Sequence, residues 1–582
     1  MSGPVFNDYP FDGFLIFNGV KTFTDSRSEL YFVGLMQRTR AAEEGDSDAR
    51  FLSLLDEYHV TWALLTNPSK GTEKLRKSKK CGKYSMAGAQ SYSLENKPDF
   101  ELASGAAGAN PTRSIDKLTL IYSAIIFLVI ITFLEWHSSR MLADGDIYWY
   151  LVVGDHILHT RSFPTADEYS FTRTGDPWIA KEWLSQILFY VSYSIAGWFG
   201  VAFLTAAVSA LASSVLFAWL CRRVGPIVAL TMTAVTFSLG MNTLIARSEI
   251  FFYLLLTVCA CGLVGAVESR KTPWWLPLLV ALWANLHASF PIALVLAALF
   301  AVEAVASAAP GERLGTGAKW GLVLLASFAA MGATPYGYRP LLVSWRIIGG
   351  PEVNAIDEWR PMPFDIQGAY GAAFIAGSLA IAAAARAGWS RAAPLLLCAA
   401  LMVRHVRFFA LFAMVGAPAL ATPIARLFPR FARHPSTPSA TARNAAAAAL
   451  AAVCLATILL VSLAPAPVPA PRMAPATALE AARKLPVSGN VYNAYPFGGF
   501  LIFNGIRTFV DGRTELYFNG LLKKAWDAEG DKSDAAFLSL LDEYHVSWAL
   551  LVPGTEAVDK LRRSTQWKEV FQDGDSELFV RN

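Results

Sequence analysis

Charged residues are scarce in this 582-residue chain: Asp, Glu, Lys and Arg make up 16%, against 54% apolar residues, and mean hydropathy is +0.37. That balance excludes an ordinary soluble protein and points to a chain that crosses a membrane many times. Cysteine offers no framework. Five of the six (Cys221, Cys259, Cys261, Cys398 and Cys454) lie inside apolar runs as small hydrophobes, and no spacing fits a zinc site or a disulfide scaffold. The chain does not open on a basic stretch followed by an apolar core, so no cleavable signal peptide is expected. The first long apolar run, from about Leu118, would itself direct insertion. The net charge of +4 comes from short basic clusters between apolar runs and implies no nucleic-acid partner.

What is abundant is apolar run length. A span needs about 20 apolar residues, fewer where a neighbour or tilt helps. Candidate spans are 118–134, 199–220, 226–241, 250–267, 274–287, 289–306, 319–333, 369–386, 392–403, 408–422 and 445–463. Trp183–Trp198 is apolar but rich in Ser, Tyr and Trp, and is expected as a helix lying in the interface. With the N-terminus inside, the cytoplasmic loops hold Arg222/Arg223, Arg270/Lys271, Arg313/Lys319, Arg386/Arg391 and Arg426/Arg430/Arg433. Counting Trp183–Trp198 as a span would put those clusters outside, so the basic residues favour eleven spans. The loop 135–182, the loop 334–368 and everything after Ala464 then share the outer face. So do the turns Asn242–Glu249 and His287–Pro291 and the segment Arg404–Arg407.

One piece of the chain occurs twice. VFNDYPFDGFLIFNG begins at Val5 and VYNAYPFGGFLIFNG at Val491, and Val5–Ser78 aligns without a gap to Val491–Ser564 with well over half the positions identical. The C-terminal copy reads as a small α/β domain. Val546–Leu551 and Leu578–Arg581 are expected strands, Ala535–Tyr544 a helix, and Gly498-Gly499 and Asp511-Gly512 turns. The N-terminal copy lacks the last two strands and has Asp12 and Ser26 where its twin has Gly498 and Gly512. Cys81 stands in the place of Trp567, and a one-base shift lets the Cys81–Gly82 codons spell Trp, with the codons that follow compatible with the intact tail. Residues 1–85 are therefore expected to be the frameshifted end of a neighbouring paralogous gene, with Met86 the natural start; a cytoplasmic regulatory duplicate is the alternative.

The expected domains are that truncated copy, a disordered cytoplasmic lead over 86–117, a membrane domain over 118–463, a Pro-rich linker over 464–476 and an α/β domain over 477–582. The fold class is a mainly α membrane protein of about eleven transmembrane helices with a small C-terminal α/β soluble domain.

The first outer loop, EWHSSRMLADGDIYWYLVVGDHILHTRSFPTADEYSFTRTGDPWIAKEWL, places Asp144 and Asp146 one residue apart just past a membrane exit, followed by Tyr148, Trp149 and Tyr150. Two close carboxylates beside aromatics suit a divalent metal or a base that deprotonates a hydroxyl, and their repulsion would raise one pKa. They equally suit the solvated start of a loop helix. In the tail, Asp511, Arg513 and Glu515 read as a solvated strand end or a binding edge.

This loop resembles the first outer loop of the C-type (GT-C) membrane glycosyltransferases, in particular the bacterial group related to protein mannosyltransferases and lipid A aminoarabinose transferases. The resemblance runs on through WANLHASF (Trp283–Phe290), TPYG (Thr334–Gly337), DEWRP (Asp357–Pro361), RHVRFFALF (Arg404–Phe412) and the tail. It implies transfer of a sugar from a polyprenyl-phosphate donor to a hydroxyl at the outer face of the bacterial inner membrane, with inversion. Asp146, with Asp144 as second candidate, would be the base. Arg247, His287, Arg404 and Arg407 would face the leaving phosphate. Glu358-Trp359 reads as a pair that positions an acceptor or, in preference, as an interfacial anchor through Trp359. For each cation snorkelling to headgroups is the structural alternative; His287 has that of a hydrogen bond to a neighbouring helix. Two other functions stay open. A transporter or flippase would carry mid-span charges and repeats within the membrane region, where few charges and no repeat are found. A periplasmic scaffold would use the tail, which shows no nucleophile, metal cluster or phosphate loop.

Overall fold

The computed structural model describes residues 5–7, 62–64, 117–349, 361–362, 377–383, 385, 389–405, 408–427, 439–485, 487–518 and 520–582. Segments 1–85 and 86–117 therefore lie almost wholly outside the described residues, as do Glu358, Arg407 and part of the 369–386 run. In the N-terminal unit, which runs to Ala109, the described strands are β1 (Val5–Asn7) and β2 (Trp62–Leu64). They pair in parallel, Val5 opposite Trp62 and Asn7 opposite Leu64.

The apolar runs form helices. In order they are α1 (Lys117–Trp136), α2 (Asp146–Thr160), α3 (Trp183–Val224), α4 (Pro226–Gly240), α5 (Glu249–Glu268) and α6 (Leu276–Leu286). There follow α7 (Pro291–Ala306), α8 (Arg313–Ala330), α9 (Arg339–Gly349), α10 (Trp389–Arg404), α11 (Phe409–Leu427) and α12 (Ala440–Leu463). Among the described residues five are long and apolar enough to cross a membrane: α1, α3, α5, α11 and α12. Three more apolar helices, α4, α6 and α7, are shorter, so these do not reach the expected eleven. The candidates at α8 and α10 carry charge, Arg313 and Lys319 in one and Arg391 and Arg404 in the other.

α3 is two helices joined at a kink, where Ala196 has φ −139° and Gly197 φ 57° and ψ −142°. Only glycine adopts that second conformation without strain. The break falls close to the boundary expected between Trp183–Trp198 and the span that follows. α3 packs against α1, α2, α4 and α5, and α1 also against α12.

Where α3, α5, α7, α10 and α11 come together, basic residues are paired rather than loose in loops. Arg223 binds Glu268 at 2.9 Å and stacks on Trp219, Arg391 binds Glu303 at 2.7 Å, and Thr422 donates to Glu268 at 3.1 Å. Charges beside an apolar bundle persist when they pair in this way.

After the extended stretch past Leu463 comes α13 (Ala476–Lys484) and a four-stranded sheet in the order β3-β4-β6-β5. Its strands are β3 (Asn490–Asn493), β4 (Val546–Leu551), β5 (Trp567–Gln572) and β6 (Glu577–Arg581). β3 and β4 are parallel, and the other pairings are antiparallel. Both expected strands are present, and the expected helix is α16 (Asp534–Glu543), after α14 (Gly498–Phe503) and α15 (Leu521–Gly530). One expected turn is absent. Gly498 and Gly499 open α14, because what they provide is room for backbone pressed against them and not a reversal of the chain. Tyr492, Tyr517, Phe497, Phe509 and Phe537 are fully buried in this domain.

Candidate functional site

Asp144 and Asp146 lie in the turn that leads into α2. The Asp144 carboxylate accepts the Asp146 backbone N–H at 2.7 Å, so the first acid caps the helix that the second begins. Asp146 Oδ1 accepts the Trp149 indole N–H at 3.1 Å, one helical turn on. Asp146 Oδ2 accepts Arg247 Nε at 3.1 Å and also pairs with Arg247 Nη2, while Asp144 Oδ2 lies 3.3 Å from Arg247 Nε. Arg247 comes from the turn before α5, far away in sequence. One guanidinium thus holds both acids in a pocket where the two carboxylate side chains are only 14% and 13% exposed.

Burial, aided by the charge of Asp146 and partly opposed by Arg247, raises the Asp144 pKa to about 8. Water solvates two anions poorly in so closed a place, so one of the pair keeps its proton into the neutral range. The divalent cation considered for these acids does not fit this arrangement. Arg247 already bridges both, and among the described residues no group of three or more His, Cys, Asp or Glu side chains is arranged to hold a metal ion.

The roof over this turn is the C-terminal domain. Gly145 packs on the Pro496 carbonyl, Gly499 on the Gly145 carbonyl, and Gly512 on the Asp146 carboxylate, each so closely that a Cβ would overlap. Gly498 packs with the same tightness on Val510 and Asp511 within the tail. Tyr495 stands beside the acids, bonded to Thr514 at 2.7 Å, and burial together with the nearby Asp146 charge raises its pKa. The doubled sequences YPFGGF and VDGRTELY therefore supply the surface that covers the acidic turn.

Asp511, Arg513 and Glu515 are neither a solvated strand end nor a free edge. Arg513 is fully buried and holds Asp511 through Nε at 2.8 Å and Nη2 at 2.7 Å, and Asp167 of the long loop through Nη1 at 2.5 Å. Its guanidinium lies 4.9 Å from the Trp178 ring centroid and 5.1 Å from that of Tyr169. Asp167 also accepts from the backbone of Tyr169 and Ser170 at 3.0 and 3.1 Å, and Asp511 from Tyr517 at 2.7 Å and Thr508 at 3.0 Å. Burial works to raise the Asp511 pKa, but Arg513 outweighs it and the carboxyl lies below its ordinary range. Phe171 N–H donates to the Thr508 carbonyl and Thr508 N–H to that of Tyr169, both at 3.1 Å. Lys181 and Glu515 add an ion pair at 2.6 Å. Loop and tail fold as one body.

His287 sits in a second cluster. Its Nδ1 accepts the Ser289 N–H at 3.1 Å, and its Nε2 faces Glu182 and Glu249 at 4.0 Å each. Glu182 accepts Tyr150 OH at 2.5 Å, and Tyr150 meets Ser248 at 3.0 Å, next to Arg247 in sequence. Burial raises the Glu182 pKa, but Lys181 and His287 lower it further, to a net value below the ordinary range. Glu182 and Glu249 were not singled out in the sequence. Their signal was an acid directly before a long apolar run, in AKEWL and ARSEI. Of the other expected site residues, Arg404 is exposed in the last turn of α10 and joins neither cluster, while Arg407 and Glu358 lie outside the described residues.

No family model matches the chain, and no curated protein does. Among solved structures, the chain is similar to the archaeal oligosaccharyltransferase AglB from Archaeoglobus fulgidus in complex with an inhibitory peptide and a dolichol-phosphate. The TM-score is 0.47 and the identity 12%, over 75% of this chain and 69% of that one. It is also similar to ArnT from Cupriavidus metallidurans in the apo state (TM-score 0.43) and bound to undecaprenyl phosphate (TM-score 0.41), each at 14% identity over 78% of this chain and 97% of that one.

Proposed function

We propose that this protein is an inverting membrane glycosyltransferase that moves a sugar from a polyprenyl-phosphate donor to a hydroxyl acceptor at the outer face of the bacterial inner membrane. The observation that carries this reading is the buried Asp144-Gly145-Asp146 turn clamped by Arg247 under the tail. A carboxylate that meets a guanidinium in a dry, preorganised place is what a general base opposite a phosphate leaving group needs.

In the proposed step, Asp146 takes the proton of the acceptor hydroxyl as its oxygen attacks the anomeric carbon. The bond from that carbon to the phosphate oxygen breaks, and its electron pair leaves with the polyprenyl phosphate. Arg247 exchanges its carboxylate partners for the departing phosphate, which a guanidinium binds through two parallel hydrogen bonds. Trp149 holds Asp146 in its rotamer, and the tail keeps water out. His287, between Glu182 and Glu249, supports the wall that carries Arg247.

The test is sugar transfer in membranes containing the chain, using a panel of polyprenyl-phosphate sugars and hydroxyl acceptors. Asp146→Asn is expected to lose about 10²–10⁴-fold at equal expression, the usual contribution of a general base. Transfer that persists at the level of the unaltered chain removes Asp146 from the chemistry.

A further inference from the structure

We infer that a second site, separate from the acidic turn, binds the phosphate of a membrane-lipid headgroup in the cleft between α9 and the joined loop and tail. The open cleft is lined by Trp178, Ile179, Arg339, Val343, Arg346 and Glu515, among others. Arg339, Val343 and Arg346 recur at the spacing that places three side chains on one helical face. Both arginines are exposed, and among the described residues neither meets a carboxylate. The acid in the lining, Glu515, is already taken by Lys181 at 2.6 Å. Trp178 forms part of the wall, and its buried indole N–H has no acceptor among the described residues. Among the described residues the cleft therefore offers two forked cations whose neighbouring acid is already engaged, a setting suited to a lipid phosphate.

The neighbouring stripe of α9 indicates where that phosphate comes from. Leu342 is 68% and Trp345 79% exposed, with Tyr338 at 43% just before the helix. An apolar and aromatic stripe beside an arginine stripe is the pattern of a helix in the membrane interface, with its cations at headgroup level. The occupant is accordingly a lipid phosphate and not a free anion from solution. Trp178 in the cleft wall lies 6.1 Å, ring to ring, from Trp149, which bonds Asp146. The bound headgroup would thus lie next to the acidic turn, although the binding itself needs no sugar transfer.

Binding of decyl phosphate to the full chain in neutral nanodiscs tests this, with decanol and inorganic phosphate as the other probes. Decyl phosphate is expected to bind, the two other probes only weakly, and R339Q/R346Q to weaken decyl phosphate at least about tenfold, the loss of charge-assisted bonds. Both arginines are exposed, so the variant should fold, and an unchanged melting temperature verifies it. Equal binding by the double variant overturns the site. Inorganic phosphate competing as well as decyl phosphate overturns the lipid as its source. Binding that holds while the unaltered chain transfers no sugar across the whole panel of donors and acceptors would sink the transferase reading and leave this one standing.

Discussion

The two copies of the repeat share a strand pair and differ in what they can cover. Val5, Phe6 and Asn7 stand opposite Trp62, Ala63 and Leu64, and in the tail Val491, Tyr492 and Asn493 stand opposite Trp548, Ala549 and Leu550, the same parallel register residue for residue. Two of the differences fall where the tail is packed most closely. Gly512, pressed on the Asp146 carboxylate, is Ser26 in the N-terminal copy, and Gly498, pressed on Asp511, is Asp12. The first change puts a side chain where the tail is pressed on the acidic turn, and the second puts one where the tail packs on itself. What the tail has at position 512 is the missing side chain that lets the Asp146 carboxylate come close, and the copy has a serine in that place.

The comparison breaks hardest at Arg513, which has a counterpart in Arg27. Removing one partner from a buried ion pair strands the other charge and costs about 3–5 kcal/mol. Arg513→Ala should therefore lower the melting temperature and expose the junction between loop and tail to protease, because Asp167 and Asp511 are left buried without their cation. Arg27→Ala should do neither. Next in size is Gly512→Ser, which writes the N-terminal residue into the tail. Its Cβ would occupy the space of Asp146 Oδ1, and a displacement of that kind at a reacting group costs about 10²-fold in rate. Transfer should fall by that order while the melt stays close to the unaltered chain. The reverse change, Ser26→Gly, should leave transfer where it was.

How much of this was legible in the sequence follows from the range of the interactions. Apolar runs and strand patterns are local, so β4 was read to the residue and α16 to within one. Asp144 and Asp146 stood out because they are neighbours. The partners of both were not legible from spacing, since Arg247 reaches them across about a hundred residues and Gly512 across more. Asp511, Arg513 and Glu515 misled for the same reason. Alternating charge looks solvated until a distant Asp167 and Lys181 are brought against it. The glycines at 498 and 499 read as turn-makers because the sequence shows that Cβ is absent, not what fills its place.

A smaller effect separates the two acids of the turn. Asp144 keeps its proton up to about pH 8, well above an unfolded aspartate, so the native state binds the extra proton. Stability therefore declines as pH rises from about 4, the unfolded value, through about 8, where the penalty becomes complete. Asp144→Asn mimics the protonated acid and removes that decline. Melting temperature against pH should flatten across this window in the variant, and transfer at pH 7 should change by less than about 3-fold, far less than for Asp146→Asn. A slope that survives in Asp144→Asn would assign the titration to another group.

The smallest expected effect is none, and it puts the comparison of the copies to its sharpest test. A chain begun at Met86 lacks the entire N-terminal copy but keeps every group named at the acidic turn: Asp144, Asp146, Trp149, Arg247 and the tail glycines. If that copy is the frameshifted end of a neighbouring gene, the shortened chain should match the full one in transfer rate, in melting temperature and in protease resistance of the tail, all measured side by side at equal expression. A regulatory duplicate predicts otherwise: its removal should shift the rate without touching the melt, since a regulator acts on the equilibrium of the site and not on the packing of Arg513 between Asp167 and Asp511. A rate change with an unchanged melt therefore decides for regulation. Identity in all three measurements assigns the chemistry to the chain from Met86 onward.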